Sequence, residues 1–215
     1  MCGFAAIVDM QHHRGAVTPH ALAAMGKLIA HRGPDGHGQW VSPGGEAGLV
    51  HRRLAIIDLT EHGAQPMHGP NGCSIAYNGE TYNYLELRDE LSDRWPFVST
   101  SDTETILAAY DRFGTGCPKH LRGMFAFAIW DERRKRLFCA RDRFGIKPFY
   151  YTVQDGMFYC ASEAKALLPF LPDISTNTDA LAEYLTFQYT IGDQTLFEGI
   201  KQLMPGHTLT VENGG

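Results

Sequence analysis

Residues 3–9, Gly-Phe-Ala-Ala-Ile-Val-Asp, form a continuous small and apolar run directly behind the second residue of the chain. Without alternation, such a run predicts a strand buried on both faces, and a strand of that kind needs layers above and below it. It therefore ties Cys2 to the centre of a fold. If Met1 is removed, Cys2 carries a thiol and a free α-amine on one residue. Most cysteine nucleophiles need a histidine brought in by the fold, whereas an α-amine titrating near pH ~7.7–8.0 is a base already at hand. Read by itself, Met-Cys-Gly-Phe is an ordinary start followed by a small buried strand residue. The motifs further on reverse that judgement.

The chain has 215 residues, 44% hydrophobic and 20% charged, with a formal net charge of −5. That is a soluble globular composition with apolar mass enough for one large domain or two small ones. No basic stripe points to nucleic acid, and the mixed patch from Asp131 to Arg136 reads as a solvated hairpin tip. No apolar run reaches the ~18–20 residues of a membrane span, and the start lacks the features of a signal peptide. Cys2, Cys73, Cys117, Cys139 and Cys160 are scattered and form no Cys-x-x-Cys pair, so the reading is a reducing cytoplasm without disulfides or a zinc site. No metal site is expected among the ten histidines, and His12-His13 reads as a polar loop.

Along the chain, Thr18-Pro19 opens a helix running to about Ala30, and the cluster His31-Arg32-Gly33-Pro34-Asp35-Gly36 stops it. Short strands are expected near 38–41, 47–50 and 53–57, then a loop over 58–72. Residues 73–77 predict a strand ended by Asn78-Gly79, followed by a helix over 82–94. Ser101-Asp102-Thr103-Glu104 has the pattern of a capping box opening a helix to about Phe113. Two strands are expected in 123–140, and two more at 149–153 and 157–161 around an Asp155-Gly156 turn. Ser162 is expected to cap a short helix over 163–168, Thr178 to start one over 179–186, and the tail to form short strands. Clustered strands with helices between and after them give α+β, with two sheets and helices outside, rather than a parallel doubly wound fold.

Four segments carry candidate chemistry besides Cys2. Arg53 opens the apolar stretch Leu54-Ala55-Ile56-Ile57, where its charge has to be solvated or paired. Asn78-Gly79-Glu80 would ordinarily be a hairpin turn, yet a helix follows it. Asp102 has an ordinary reading as a first-turn carboxylate favoured by the helix dipole. The charge density from Arg141 to Tyr151, with Ser162-Glu163-x-Lys165, suggests an internal ion-pair network or a domain contact.

Together these segments are recognisable. Cys2-Gly3, His31-Arg32-Gly33-Pro34-Asp35, Arg53-Leu54-Ala55-Ile56, Gly63-Ala64-Gln65-Pro66-Met67, Asn78-Gly79-Glu80-x-Tyr82-Asn83, Ser101-Asp102-x-Glu104 and Arg141-Asp142-Arg143-Phe144-Gly145-x-Lys147-Pro148-Phe149-Tyr150 resemble the amino-terminal class II glutaminase domain of glutamine-hydrolysing asparagine synthetases. The resemblance covers nearly the whole chain, in the family's order. It implies a single domain over 1–215 with the four-layer αββα N-terminal-nucleophile hydrolase fold, two antiparallel sheets between helical layers. It implies Cys2 as nucleophile, the side-chain amide of Asn78 and the N–H of Gly79 as oxyanion hole, and Arg53 on the α-carboxylate of L-glutamine. Backbone near Leu54, Ile56 and Ile57 would line the pocket, with Glu80 and Asp102 on the α-ammonium. Thr81 stands where the family expects Ile, and Ala55 where it expects Ser; both changes leave these roles intact.

The family's second half, an ATP-dependent synthetase domain, has no counterpart here: its Ser-Gly-Gly-x-Asp-Ser loop is missing, and Ser42-Pro43-Gly44-Gly45-Glu46 reads only as a turn. No cofactor is expected in this chain; ATP and Mg belong to that other domain. The resemblance thus implies a truncated domain or half of a split enzyme, whose partners are L-glutamine and a synthetase domain, with Arg141–Tyr151 and the tail facing the latter. A homodimer is one assembly open to it, and the ammonia acceptor is left open. Two other readings stand: a glutaminase of another amidotransferase pathway, and a non-catalytic module kept for assembly or regulation.

Overall fold

The structure is a computed structural model, and it describes residues 2–11 and 15–212. The expectations for Met1, for the His12-His13 loop and for the final Asn213-Gly214-Gly215 lie outside those residues. The strands are β1 (Gly3–Asp9), β2 (Gly36–Val41), β3 (Ala47–Arg53), β4 (Met67–His68), β5 (Cys73–Thr81), β6 (Gly123–Asp131), β7 (Arg136–Arg141), β8 (Tyr150–Gln154), β9 (Met157–Ala161), β10 (Lys201–Gln202) and β11 (Thr208–Val211). The helices are α1 (Pro19–Leu28), α2 (Tyr84–Leu91), α3 (Asp102–Phe113) and α4 (Thr178–Phe187).

They build two antiparallel sheets, one of six strands ordered β10-β8-β9-β1-β3-β2 and one of five ordered β11-β7-β6-β5-β4. The all-buried pattern of β1 follows from its place between β9 and β3, with layers on both faces. Phe4, Ala6 and Val8 meet Ala76, Ala126, Ala128 and Trp130 of the second sheet. The alanines let the two sheets approach closely, while Phe4 against Phe149 and the buried Phe158 fill the remaining volume. Ala5 and Ile7 face outward, where Leu22, Met25 and Ile29 cover them. On the far side, Leu87 and Leu91 of α2 and Ile106 and Leu107 of α3 pack on Ile75, Tyr77 and Phe125. Helix, sheet, sheet, helix is the resulting order. Each buried Phe or Leu contributes about 1.5–3 kcal/mol relative to exposure, which makes these three apolar layers the main stabilising term.

Helix starts follow their local chemistry. Thr18 Oγ1 accepts the Ala21 N–H at 3.2 Å, with Pro19 in the first turn. Ser101 accepts the Thr103 N–H, but Glu104 does not close a capping box. It turns inward instead and accepts from Val98 N, Ser99 N, Ser99 Oγ and Trp95 Nε1. A buried carboxylate is stabilised by four such donors, and this outweighs the reciprocal cap.

Other local expectations shift. The strand expected at 53–57 is absent: β3 closes at Arg53, and 54–57 is an irregular loop. Asn78-Gly79 does not end its strand, since β5 runs on to Thr81 in register with β6. The helix expected over 82–94 is confined to α2. Residues 163–168 form 3₁₀ turns rather than a helix, and the Ser162 hydroxyl accepts the Phe4 N–H at 3.0 Å instead of capping. Asn177, not Thr178, caps α4 through the Ala180 N–H. Of the expected ion-pair network, Glu163 pairs with Arg32 at 2.9 Å and with Lys165 at 3.1 Å, whereas Arg141, Asp142 and Arg143 are met by backbone. Arg141 donates to the carbonyls of Gly145, Lys147 and Leu203, and Arg143 to that of Leu121. Fully buried Asp142 accepts from the N–H groups of Phe125, Phe144, Ile146 and Lys147.

Candidate active site

Cys2 stands at the head of β1, and the Gly3–Arg52 register brings the end of β3 beside it. Arg32 holds it from behind, Nε donating to the Cys2 carbonyl over 2.9 Å. The Leu54 N–H donates to the sulfur over 3.3 Å. Burial pushes the Cys2 thiol above its ordinary pKa, while the Leu54 N–H and the Arg53 charge pull the other way. The group therefore rests as a thiol, and it needs a base to become a nucleophile.

Arg53 lies at the end of β3. Its guanidinium donates to the carbonyls of Thr60, at 2.9 Å, and Asp58, which fixes it within the loop that follows.

The free edge of β5 supplies the next groups. β4 covers only Ser74 and Ile75, so from Tyr77 onward that edge has no neighbouring strand. Side chains take its place: Gln65 Oε1 accepts the Tyr77 N–H at 2.7 Å, and Asp102 Oδ2 accepts the Thr81 N–H at 2.9 Å. Alternate N–H groups of a strand point the same way, so the Gly79 N–H faces this edge between those two. The opposite strand agrees. Both Phe125 N and Phe125 O bond to Asp142, which makes Gly79–Phe125 a non-hydrogen-bonded pair. Glycine is required there because an added Cβ would run into the Met124 carbonyl and sit 2.8 Å from Phe125 Cα. Next to it, Asn78 Nδ2 is buried and has no partner among the described residues. A buried amide donor without an acceptor is costly, which points to an acceptor supplied by a ligand.

Asp102 opens α3, and burial pushes its carboxyl up. The Thr81 N–H and Tyr77 hydroxyl oppose that, while nearby Glu80 adds to it.

Cys2, Arg53, Leu54, Ile56, Ile57, Asn78, Gly79, Glu80 and Asp102, the nine residues singled out in the sequence, all line one cleft of about 310 Å³. Asp58, Gln65, Tyr77 and Lys147 line it as well and were not singled out as site residues. Gln65 had a signal, its place in the Gly-Ala-Gln-Pro-Met segment: besides Tyr77 N it bonds Thr103 and so ties β5 to α3. Lys147 sits within the dense charge after β7. Burial, and then the Arg32 charge, push its ammonium down, with Cys2, Asp142 and Glu80 opposing.

A thiol, two amide donors, a guanidinium and two carboxylates thus surround one small cleft. Residues 1–215 match the glutamine amidotransferase domain family, and the chain belongs to it. It is 39% identical over 218 residues to asparagine synthetase [glutamine-hydrolyzing] 1 of Bacillus subtilis, covering 100% of this chain and 34% of that protein. It is also 39% identical to amidase chry2 of Gibberella zeae, covering 97% of this chain and 32% of the other. The chain thus spans about a third of the length of the curated relatives it matches. Among solved structures, glutamine phosphoribosylpyrophosphate amidotransferase from Bacillus subtilis superposes with a TM-score of 0.72 at 19% identity, over 100% of this chain and 48% of that one. That likeness is one of fold, and it bears out the four-layer N-terminal-nucleophile hydrolase arrangement. Among the described residues, no helix is long and apolar enough to cross a membrane.

Proposed function

We propose that this domain hydrolyses L-glutamine to L-glutamate and ammonia through a γ-glutamyl thioester on Cys2. The observation that carries the reading is the unpartnered Asn78 Nδ2 beside the Gly79 N–H, in the cleft that holds the Cys2 sulfur. The processed α-amine of Cys2 takes the thiol proton, directly or through a water. The thiolate attacks the carboxamide carbon, and negative charge moves onto its oxygen, toward Asn78 and Gly79. Collapse breaks the C–N bond, and the α-ammonium returns its proton to the departing ammonia. Water then adds to the thioester through a second oxyanion and releases glutamate and the thiol. Arg53 pairs with the α-carboxylate bidentately, and Glu80 and Asp102 pair with the α-ammonium. A substrate lacking that head leaves those charges buried and unpaired, which gives the discrimination.

Ammonia passes, in this reading, to an ATP-dependent synthetase domain that amidates aspartate or a related acid. The domain belongs to the same full-length chain or to a separate subunit. Support comes from relatives about three times as long, one of them named a glutamine-hydrolysing asparagine synthetase. The acceptor is kept general because a relative at the same 39% identity is named an amidase.

Purified protein incubated with L-glutamine, without ATP, should release ammonia and glutamate in equal amounts, and Cys2→Ala should abolish both. Sequencing the amino terminus of the active protein should return Cys first. Full activity in a chain that retains Met1 would refute the α-amine as base.

A further inference from the structure

Asp58 sits in the loop after β3 and is 7% exposed. Its Oδ1 accepts from the N–H and the hydroxyl of Thr60, at 2.9 and 2.6 Å. Its Oδ2 accepts from the N–H and the hydroxyl of Thr100, at 3.0 and 3.1 Å, from 42 residues away. The peptide carbonyls of Asp58 and Thr60 in turn hold the two terminal nitrogens of Arg53. Thr100 lies two residues before Asp102, next to the cap of α3. One continuous chain of bonds therefore runs from Asp102's helix through the Asp58 carboxylate to the Arg53 guanidinium. Burial raises the cost of ionising Asp58, yet the four donors prevail and hold its carboxyl well below the usual range.

We propose that Asp58 is a positioning residue that sets the spacing between the two ends of the amino-acid clamp, and thereby the demand for an α-carboxylate. The inference rests on the glutamine reading given above. Arg53 ends β3 of one sheet, and Asp102 opens α3 against β5 of the other. Their separation has to match the carboxylate-to-ammonium distance of an α-amino acid. Of the Arg53 loop, Ile56 and Leu59 are largely exposed, so little apolar packing anchors it. The Asp58 carboxylate supplies the polar anchor instead, and only an ionised carboxylate accepts from both arms. In Asp58→Asn, one arm would set an amide N–H against the N–H and hydroxyl of Thr60 or Thr100.

The test compares hydrolysis of L-glutamine with that of L-glutamine α-amide, which keeps the ammonium and loses the carboxylate charge. In D58N, KM for glutamine should rise about tenfold or more, with kcat within about threefold of the parent, as expected when a binding interaction is lost. KM for the α-amide should change little, so the preference for glutamine shrinks by the same factor. Thr100→Val removes a single hydroxyl and keeps the backbone donor; it should give a smaller loss in the same direction, and adding it to D58N should cost less than its effect alone. Should D58N not fold, T100V carries the test. Equal losses on both substrates in either variant, or parent-like kinetics in both, would overturn the positioning role. A parent protein that leaves glutamine intact would instead overturn the functional reading on which the proposal rests.

Discussion

The Tyr77 hydroxyl donates to Asp102 Oδ2 over 2.9 Å and joins the middle of β5 to the first turn of α3. The Thr81 N–H converges on the same oxygen. Both donors favour the ionised carboxylate against the burial that pushes its pKa up. Removing the hydroxyl in Tyr77→Phe should push it further up. On the glutamine reading proposed above, Asp102 has to be charged to hold the α-ammonium, so activity should fail sooner as pH drops. We expect KM for glutamine to rise roughly 3–10-fold, the loss of one charge-assisted bond. The acid limb of kcat/KM should move to higher pH, and an unmoved limb would count against the role.

Asn78 offers a contrast between activity and stability. Its Nδ2 has no partner among the described residues, so Asn78→Ala removes an unsatisfied donor. Thermal stability should hold or improve, while kcat should fall by about 10²–10³, the usual cost of one oxyanion donor. A variant that loses stability and keeps kcat would reverse the assignment.

Gly79→Ala should damage both. The added methyl has backbone on its near side, the Met124 carbonyl and Phe125 Cα, and strand backbone in register cannot yield locally. Overpacking of this kind costs about 1–3 kcal/mol. For a chain of this size each kcal/mol is worth roughly 2–4 °C in Tm, which differential scanning calorimetry would resolve.

His51 makes stability depend on acid. It is fully buried, and Nε2 lies 2.9 Å from the Tyr77 carbonyl; a carbonyl only accepts, so Nε2 carries the proton, and Nδ1 has no partner among the described residues. Burial pushes its pKa down from 6.5 to about 4. The unfolded chain therefore takes up the proton first, and stability is lost as pH falls from 6.5 toward 4. The difference is worth about 3 kcal/mol at the acid end. Denaturant unfolding at pH 7 and pH 4.5 should register most of it, and His51→Gln, which keeps a donor to Tyr77, should flatten that part of the profile.

The strands with continuous apolar character, β1, β6 and β7, were legible because burial on both faces leaves no other composition. The nine residues that meet in the cleft were singled out through motif order alone; spacing along the chain says nothing of their convergence, which comes from the β1–β3 and β5–α3 contacts. What misled was local chemistry overruled by tertiary demand. Ile56-Ile57 look like strand, but Arg53 and Asp58 turn that segment into a loop held by carbonyls and threonines. Asn78-Gly79 looks like a turn, but β6 keeps it extended. Asp58 and Tyr77 escaped notice because their importance lies in partners 42 and 25 residues away, and no local pattern encodes those contacts.

The position of β1, an interior strand covered on both faces, has a consequence for how long the nucleophile keeps its geometry. Its amides cannot exchange with solvent by fraying at an edge, so deuterium should enter at Phe4 to Val8 only when the whole domain opens. The Arg53 loop has no such protection and should exchange at far lower cost. Under mild denaturant the Arg53 side of the cleft is expected to come apart well before the sulfur leaves its place.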